Sequence, residues 1–303
     1  MERHSVIIEA VADIRRKPVD AKERYIHDEL QETQAIYNEM LLCREEMDEW
    51  VYIEAIEQKT FRGEQRWQGY PGWIKKSKIA DLNEEPKGDS LVVKKRTSPL
   101  FLRPSDSSPI ILNVPLGARL WMTGNVHKTE GCIYCEVSLH DKKNAWIKRD
   151  DANLSKEILP ENKIREGIAH VAELFLGIPY LWGGRSIDEG VDCSGLVNLV
   201  YRANNIDLPR DSHDQWMATK MIYPVELEPG DLIFTRDAKH YKVSHVMLYT
   251  GGDEIIEAYE TGGNVRRIGF RERFGLGLKD IAAGREILID NRCIYFCRIE
   301  EFA

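Results

Sequence analysis

The chain has 303 residues, 43% of them hydrophobic, and its 42 Lys and Arg against 50 Asp and Glu give a formal charge of −8. That length suits two or three cores at roughly 100–200 residues per domain, and the acidic balance argues against nucleic acid as the main partner. No apolar run approaches the roughly 18 residues of a membrane span. The start of the chain holds an apolar patch broken by Glu9 where a secretory leader would need a continuous one, so no membrane partner and a cytoplasmic location are expected.

In chain order, the first signal is an alternating apolar strand over residues 6–14, and a second begins at residues 91–95. Each precedes a tryptophan strand of one pattern, Gly72-Trp73-Ile74-Lys75-Lys76 and Ala145-Trp146-Ile147-Lys148-Arg149, which predicts two copies of one small β-unit. The polar run Asn83-Glu84-Glu85-Pro86-Lys87-Gly88-Asp89-Ser90 separates them, and Leu159-Pro160-Glu161-Asn162 marks a further boundary. The expected domains are 1–83, 84–158 and 159–303.

Beyond the second boundary, residues 163–175 have helical spacing, with Ile164, Ile168, Val171, Ala172 and Leu174 as apolar positions. Tyr180-Leu181-Trp182-Gly183-Gly184 follows, an aromatic and glycine cluster suited to a cleft wall. Asp192-Cys193-Ser194-Gly195 then sits directly before the apolar run Leu196, Val197, Leu199, Val200, Ala203, which places Cys193 at a helix start. Free backbone N–H groups and the helix dipole favour thiolate over thiol there, the form a nucleophile needs. His245 opens a strand that runs into Gly251-Gly252, and cysteine first with histidine later on a strand is the chain order of papain-like thiol hydrolases. His240, in the loop 237–241, and His213, after Ser212, are the competing imidazoles. Strands over 231–235, 244–250, 254–259, 264–270 and 294–299 complete an α+β layout of helices packed on an antiparallel sheet.

The six cysteines, at 43, 132, 135, 193, 293 and 297, are too sparse for a disulfide framework. Cys132 with Cys135 has the spacing of half a zinc site and Cys293 with Cys297 that of an imaginable other half. Both pairs lie in β-prone runs without clustered histidines, so no metal is expected. Cys43 reads as a small buried hydrophobe.

Tyr180-Leu181-Trp182-Gly183-Gly184, Asp192-Cys193-Ser194-Gly195, Leu208-Pro209-Arg210-Asp211-Ser212, Pro229-Gly230-Asp231-Leu232 and His245-Val246, in that order, resemble the NlpC-type cysteine peptidases that cleave bacterial cell-wall peptides. The N-terminal half resembles the paired SH3-like domains of that family's γ-D-glutamyl-diamino-acid endopeptidases. The resemblance implies an α+β papain-like catalytic domain preceded by two SH3-like β-barrels, with Cys193 as nucleophile, His245 as its base and no cofactor. The family's third polar residue, often a second histidine, falls in Ile255-Ile256-Glu257-Ala258; a turn centred on Gly251 sets Glu257 across from His245 on the same face. Tyr180 matches an oxyanion donor beside the backbone N–H of Cys193. Asp192 matches a residue facing the substrate amine, and Ser194 and Ser212 match contacts to the D-glutamate carboxylate, with Trp182 in the substrate-binding wall.

Tyr70 and Glu39 of the first β-unit match the residues that close the cleft around a free N-terminal amine. Each of these residues also has a structural alternative: a helix cap for Asp192, a packed aromatic for Tyr180 and Tyr70, and a cap or turn for the serines. The implied substrate is a murein peptide, L-Ala-γ-D-Glu-diamino acid, cut before the diamino acid, diaminopimelate or lysine, in cell-wall peptide recycling. An amidase or acyltransferase on the same fold, or a non-catalytic cell-wall-peptide-binding protein, are the alternatives.

Overall fold

The structure, a computed structural model, describes residues 3–21, 23, 25–62, 66–281 and 284–302. Its N-terminal part forms one antiparallel sheet of seven strands: β1 (Arg3–Ile7), β2 (Val11–Arg15), β3 (Gln31–Ile36), β4 (Met40–Met47), β5 (Trp50–Arg62), β6 (Arg66–Lys75) and β7 (Ile79–Asp81). Their order across the sheet is β3-β2-β6-β5-β4-β1-β7. A second seven-stranded sheet follows: β8 (Ser90–Val93), β9 (Thr97–Phe101), β10 (Ile110–Pro115), β11 (Arg119–Lys128), β12 (Ile133–Ser138), β13 (Asn144–Lys148) and β14 (Ala152–Leu154). Its order, β10-β9-β13-β12-β11-β8-β14, repeats that of the first sheet strand for strand.

The tryptophan echo marks equivalent places. Trp73 on β6 pairs with Tyr52 on β5 and Arg15 on β2, while Trp146 on β13 pairs with Glu136 on β12 and Phe101 on β9. Each sheet curls around its own apolar cluster, Ile7, Ile14, Leu41, Val51, Ile53 and Ile74 in the first and Leu91, Leu100, Val114, Leu120, Val137 and Ile147 in the second.

The strand expected over residues 6–14 is not continuous. The chain bends at Glu9 and Ala10, and its halves take different neighbours, β1 lying between β4 and β7 and β2 between β3 and β6. Neither bend residue is a glycine or proline, so composition gave no warning.

The C-terminal part holds α1 (Glu161–Glu173), β15 (Arg185–Ser186), β16 (Gly190–Val191), α2 (Cys193–Arg202), α3 (Ser212–Met217), β17 (Thr219–Met221), β18 (Leu232–Asp237), β19 (His245–Gly251), β20 (Glu254–Ala258), β21 (Val265–Gly269), α4 (Phe270–Phe274), β22 (Glu286–Ile289) and β23 (Arg292–Ile299). A sheet of order β17-β23-β18-β19-β20-β21, with β22 beside β23, forms the scaffold. Alternation along the strands serves two layers. Leu232, Phe234, Val246, Leu248 and Ile256 meet α1 and α2 on one face, whereas Ile233, Met247, Ile255 and Phe296 meet Phe270 and Phe274 on the other. Helix α1 starts two residues before the spacing predicted, and α3, α4, β17 and β22 are too short for a periodic signal. No helix among the described residues is long and apolar enough to cross a membrane.

Candidate active site

Cys193 opens α2 after Asp192, which has extended backbone (φ −87°, ψ 179°) and caps the helix by accepting from the Gly195 N–H at 2.6 Å. The helix packs main chain to main chain against the glycine cluster. A Cβ on Gly195 would collide with the Gly184 carbonyl, and one on Gly184 would lie 2.7 Å from the Gly190 oxygen. Gly183 takes φ +68° and its missing side chain leaves room for Gln31 of β3. These glycines let the loop, α2 and the first sheet meet, and they leave Cys193 buried with 8% exposure at the floor of the cleft.

His245, the first residue of β19, reaches this floor. Its Nε2 lies 2.8 Å from Glu257 Oε2 on β20, and its ring also hydrogen-bonds Cys193. The register differs from that expected, because the turn is closed by Gly251↔Glu254 instead of being centred on Gly251, and a one-residue bulge between Tyr249 and Gly251 then gives the pairing Leu248↔Ile256 and Tyr249↔Ile255. Glu257 is therefore diagonal to His245 rather than opposite. The shift is an even number of residues, so both side chains still project to one face, which is why the contact survives. The Tyr259 ring meets the imidazole edge-on at 5.9 Å.

Burial works against the charged imidazole, but the hydrogen bonds to Cys193 and Glu257 and their negative charges overcome it, raising the His245 pKa from 6.5 to about 9. Glu257 is fully buried, which opposes ionisation, yet its bond to His245 and the two guanidiniums of Arg266 and Arg273 lower it to about 2. Arg266 Nη2 stands 2.6 Å and Arg273 Nε 3.0 Å from Glu257 Oε1. Neither arginine carried a sequence signal, since each acts through a residue on another element.

Tyr180 lines a cavity of about 240 Å³ together with Cys193 and His245. Burial and the neighbouring charges of Asp192 and Cys193 hold its hydroxyl well above the usual phenol range, so it remains an O–H donor. Together these groups can generate a thiolate, deliver a proton and donate to a developing oxyanion.

The opposite end of the cleft is where the first sheet docks. Arg210, fully buried, grips Asp192 with both terminal nitrogens at 3.0 and 2.8 Å, donates to Ser194 Oγ at 2.9 Å and reaches Thr33 Oγ1 of β3 at 2.6 Å. Asp192 and Ser194 are thus fixed parts of a buried network. Tyr70 lies within β6 instead of a loop; its hydroxyl meets Asp211 at 3.1 Å and is held by Arg62, which also pairs with Glu32 at 3.0 Å.

Glu39 does not reach the cleft wall. It is fully buried, pairs with the equally buried Arg185 at 2.7 Å and accepts from the Ile36 N–H, so it joins the first sheet to β15. The acidic groups beside Tyr70 are Glu32 and Asp211. Ser212 starts α3 partly buried, and Trp182 is 41% exposed against His27 at a ring distance of 4.5 Å. His213 stacks on Trp216 and accepts from the Val243 N–H, and His240 stays in the loop after β18, so neither meets Cys193. Among the described residues no cluster of three or more His, Cys, Asp or Glu side chains is arranged to hold a metal ion.

The NlpC/P60 family model matches residues 177–274, the span that contains Tyr180, Cys193, His245 and Glu257. A γ-D-glutamyl-L-lysine dipeptidyl-peptidase of Bacillus cereus is 30% identical over 236 residues, covering 75% of this chain and 67% of its own length. The chain belongs to the NlpC/P60 family. A second relative of the same name, from Bacillus subtilis, is 28% identical over 253 residues and is covered to 80%. A solved NlpC/P60 family protein from Bacillus cereus superposes with a TM-score of 0.73 at 23% identity, over 92% of this chain and 98% of that one, so the likeness of fold extends over both N-terminal sheets. As an NlpC/P60 peptidase, the chain carries its thiol and imidazole inside the matched span, while Tyr70 and Glu32 of the first sheet lie outside it.

Proposed function

We propose that the chain is a cysteine endopeptidase that hydrolyses the γ-D-glutamyl to diamino-acid bond of murein peptides with a free N-terminal L-Ala, and that its two N-terminal sheets are SH3-like units. The observation that carries this reading is the line Cys193, His245, Glu257 beside an O–H donor from Tyr180. The names of the relatives supply the substrate class. Cys193 as thiolate attacks the γ-carbonyl carbon while the Cys193 N–H and Tyr180 hydroxyl stabilise the oxyanion. The carbon–nitrogen bond breaks as the His245 imidazolium gives its proton to the departing amine, leaving a thioester on Cys193. Water, deprotonated by the neutral imidazole, then releases the acyl product and restores the pair.

Selectivity for a free amine belongs to the end where the first sheet meets α3. With Glu39 sealed against Arg185, Asp211 beside the Tyr70 hydroxyl is the carboxylate that faces that end, next to Asp192. Incubation with L-Ala-γ-D-Glu-diaminopimelate and mass detection of L-Ala-D-Glu and the free diamino acid tests the reaction. Cys193→Ala should fold and give no turnover; comparable hydrolysis by that variant would make the thiol structural.

A further inference from the structure

The cavity beside Cys193 and His245 is lined beyond them by Arg236, Arg273, Arg292 and Asp237. These arginines differ in what they have left to give. Arg236 is committed, donating from Nε to the Tyr295 hydroxyl at 2.6 Å and from its terminal nitrogens to the His240 carbonyl and Glu286. Arg273 spends Nε on Glu257 and stacks on Tyr259 at 4.2 Å, and among the described residues its terminal nitrogens meet no acceptor. Arg292 is partly buried and, among the described residues, has no ion pair; Asp237 is its register partner across β18 and β23 but is not bonded to it. Two guanidiniums with open donors in the lining of one cavity suit a carboxylate, whose planar oxygens fit the guanidinium fork.

The side of the thiol on which the cavity lies decides which part of a substrate it meets. The imidazole returns its proton to the leaving nitrogen, so the departing residue must lie on the His245 side of Cys193. The cavity is on that side, bordered by Thr235, which pairs with His245 in the sheet.

We infer that this cavity is the subsite for the departing residue and that Arg273 and Arg292 hold a carboxylate which that residue carries. The inference rests on the peptidase reading above. The carboxylate has two sources: the α-carboxyl of any terminal third residue, and the side-chain carboxyl that diaminopimelate has and lysine lacks.

The test compares wild type, Arg292→Gln and Arg292→Lys on tripeptides ending in diaminopimelate, lysine and lysinamide. In wild type, replacing lysine by its amide should lower kcat/KM about tenfold, as expected for loss of a hydrogen bond to a charged group. That penalty should shrink toward unity in Arg292→Gln and be partly restored in Arg292→Lys. A preference for diaminopimelate that also collapses in Arg292→Gln assigns the contact to the side-chain carboxyl; no such preference assigns it to the α-carboxyl. A second readout needs no turnover: free diaminopimelate should protect Cys193 from iodoacetamide in wild type and do so several-fold less well in Arg292→Gln. Equal kcat/KM for lysine and lysinamide peptides in wild type, with no protection by diaminopimelate, would overturn the subsite. Protection without hydrolysis of any tripeptide would overturn the peptidase reading and leave the anion subsite standing.

Discussion

Glu257 is a buried carboxylate shared by one imidazole and two guanidiniums. Its charge helps hold His245 protonated to about pH 9, so the thiolate–imidazolium pair should persist on the alkaline side of neutrality. Glu257→Gln removes that charge and leaves Arg266 and Arg273 facing the imidazole without compensation, which lowers the histidine pKa further. The basic limb of kcat/KM should move to lower pH by about one pH unit or more, and Glu257→Ala, which also loses the orientation, should reduce kcat by at least about tenfold. Unchanged profiles in both variants would remove Glu257 from the chemistry. Linkage gives a second check with a definite sign. A carboxyl lowered from 4.5 to about 2 stabilises the fold above about pH 4.5 and loses that contribution as pH falls toward 2. Melting temperature should therefore fall less steeply over that window in Glu257→Gln than in wild type.

At the scale of elements, α2 depends on main-chain contact with the glycine loop. Gly195→Ala should cost about 1–3 kcal/mol through overpacking against Gly184, and because the displaced element carries Cys193, kcat should fall by more than the loss of folded protein explains. Chemical denaturation and active-site titration on one preparation separate the two effects; wild-type stability would show that the loop yields freely. This helix was readable from sequence because its signals are local: cap, cysteine, glycine and apolar period fall within a dozen residues. His245 was readable for the same reason, as a histidine at the head of an apolar strand before Gly251-Gly252. Glu257 was placed on the right face from an incorrect register, since side-chain direction depends on parity, and the displaced turn and the bulge together shift the register by two residues. Glu39 went astray because nothing near it reveals the buried Arg185 far along the chain, and Arg273 and Arg292 were invisible because a cavity wall assembled from a short helix and a distant strand has no spacing to read.

For the whole molecule, the first sheet is bonded to the C-terminal part through Thr33–Arg210, Glu39–Arg185 and Thr60–Asp214. Removing one member of the buried Glu39–Arg185 pair should destabilise by about 3–5 kcal/mol, so Glu39→Ala should unfold earlier in urea while its ratio of kcat/KM for free and N-acetylated tripeptides stays at the wild-type value. In wild type that ratio should be about tenfold or more, and Asp211→Asn should reduce it. A changed ratio in Glu39→Ala would return that residue to the cleft wall. The second sheet touches the same helix elsewhere. Arg202 donates to the Gly117 carbonyl at 2.8 Å and Asn153 to the Ala203 carbonyl at 2.8 Å, both at the far end of α2, while Arg210 and Thr33 hold the near end through Asp192. The second sheet thus holds the far end, where Glu57 of the first sheet also meets Arg202 at 2.7 Å, while the first sheet holds the near end as well, and the helix becomes a lever. A ten-residue helix is about 15 Å long, so a pivot of about four degrees at the second copy swings the thiol by about 1 Å, a misplacement of the order that costs about a hundredfold in rate. The second sheet, anchored about 15 Å from the sulfur, thereby helps to set its aim.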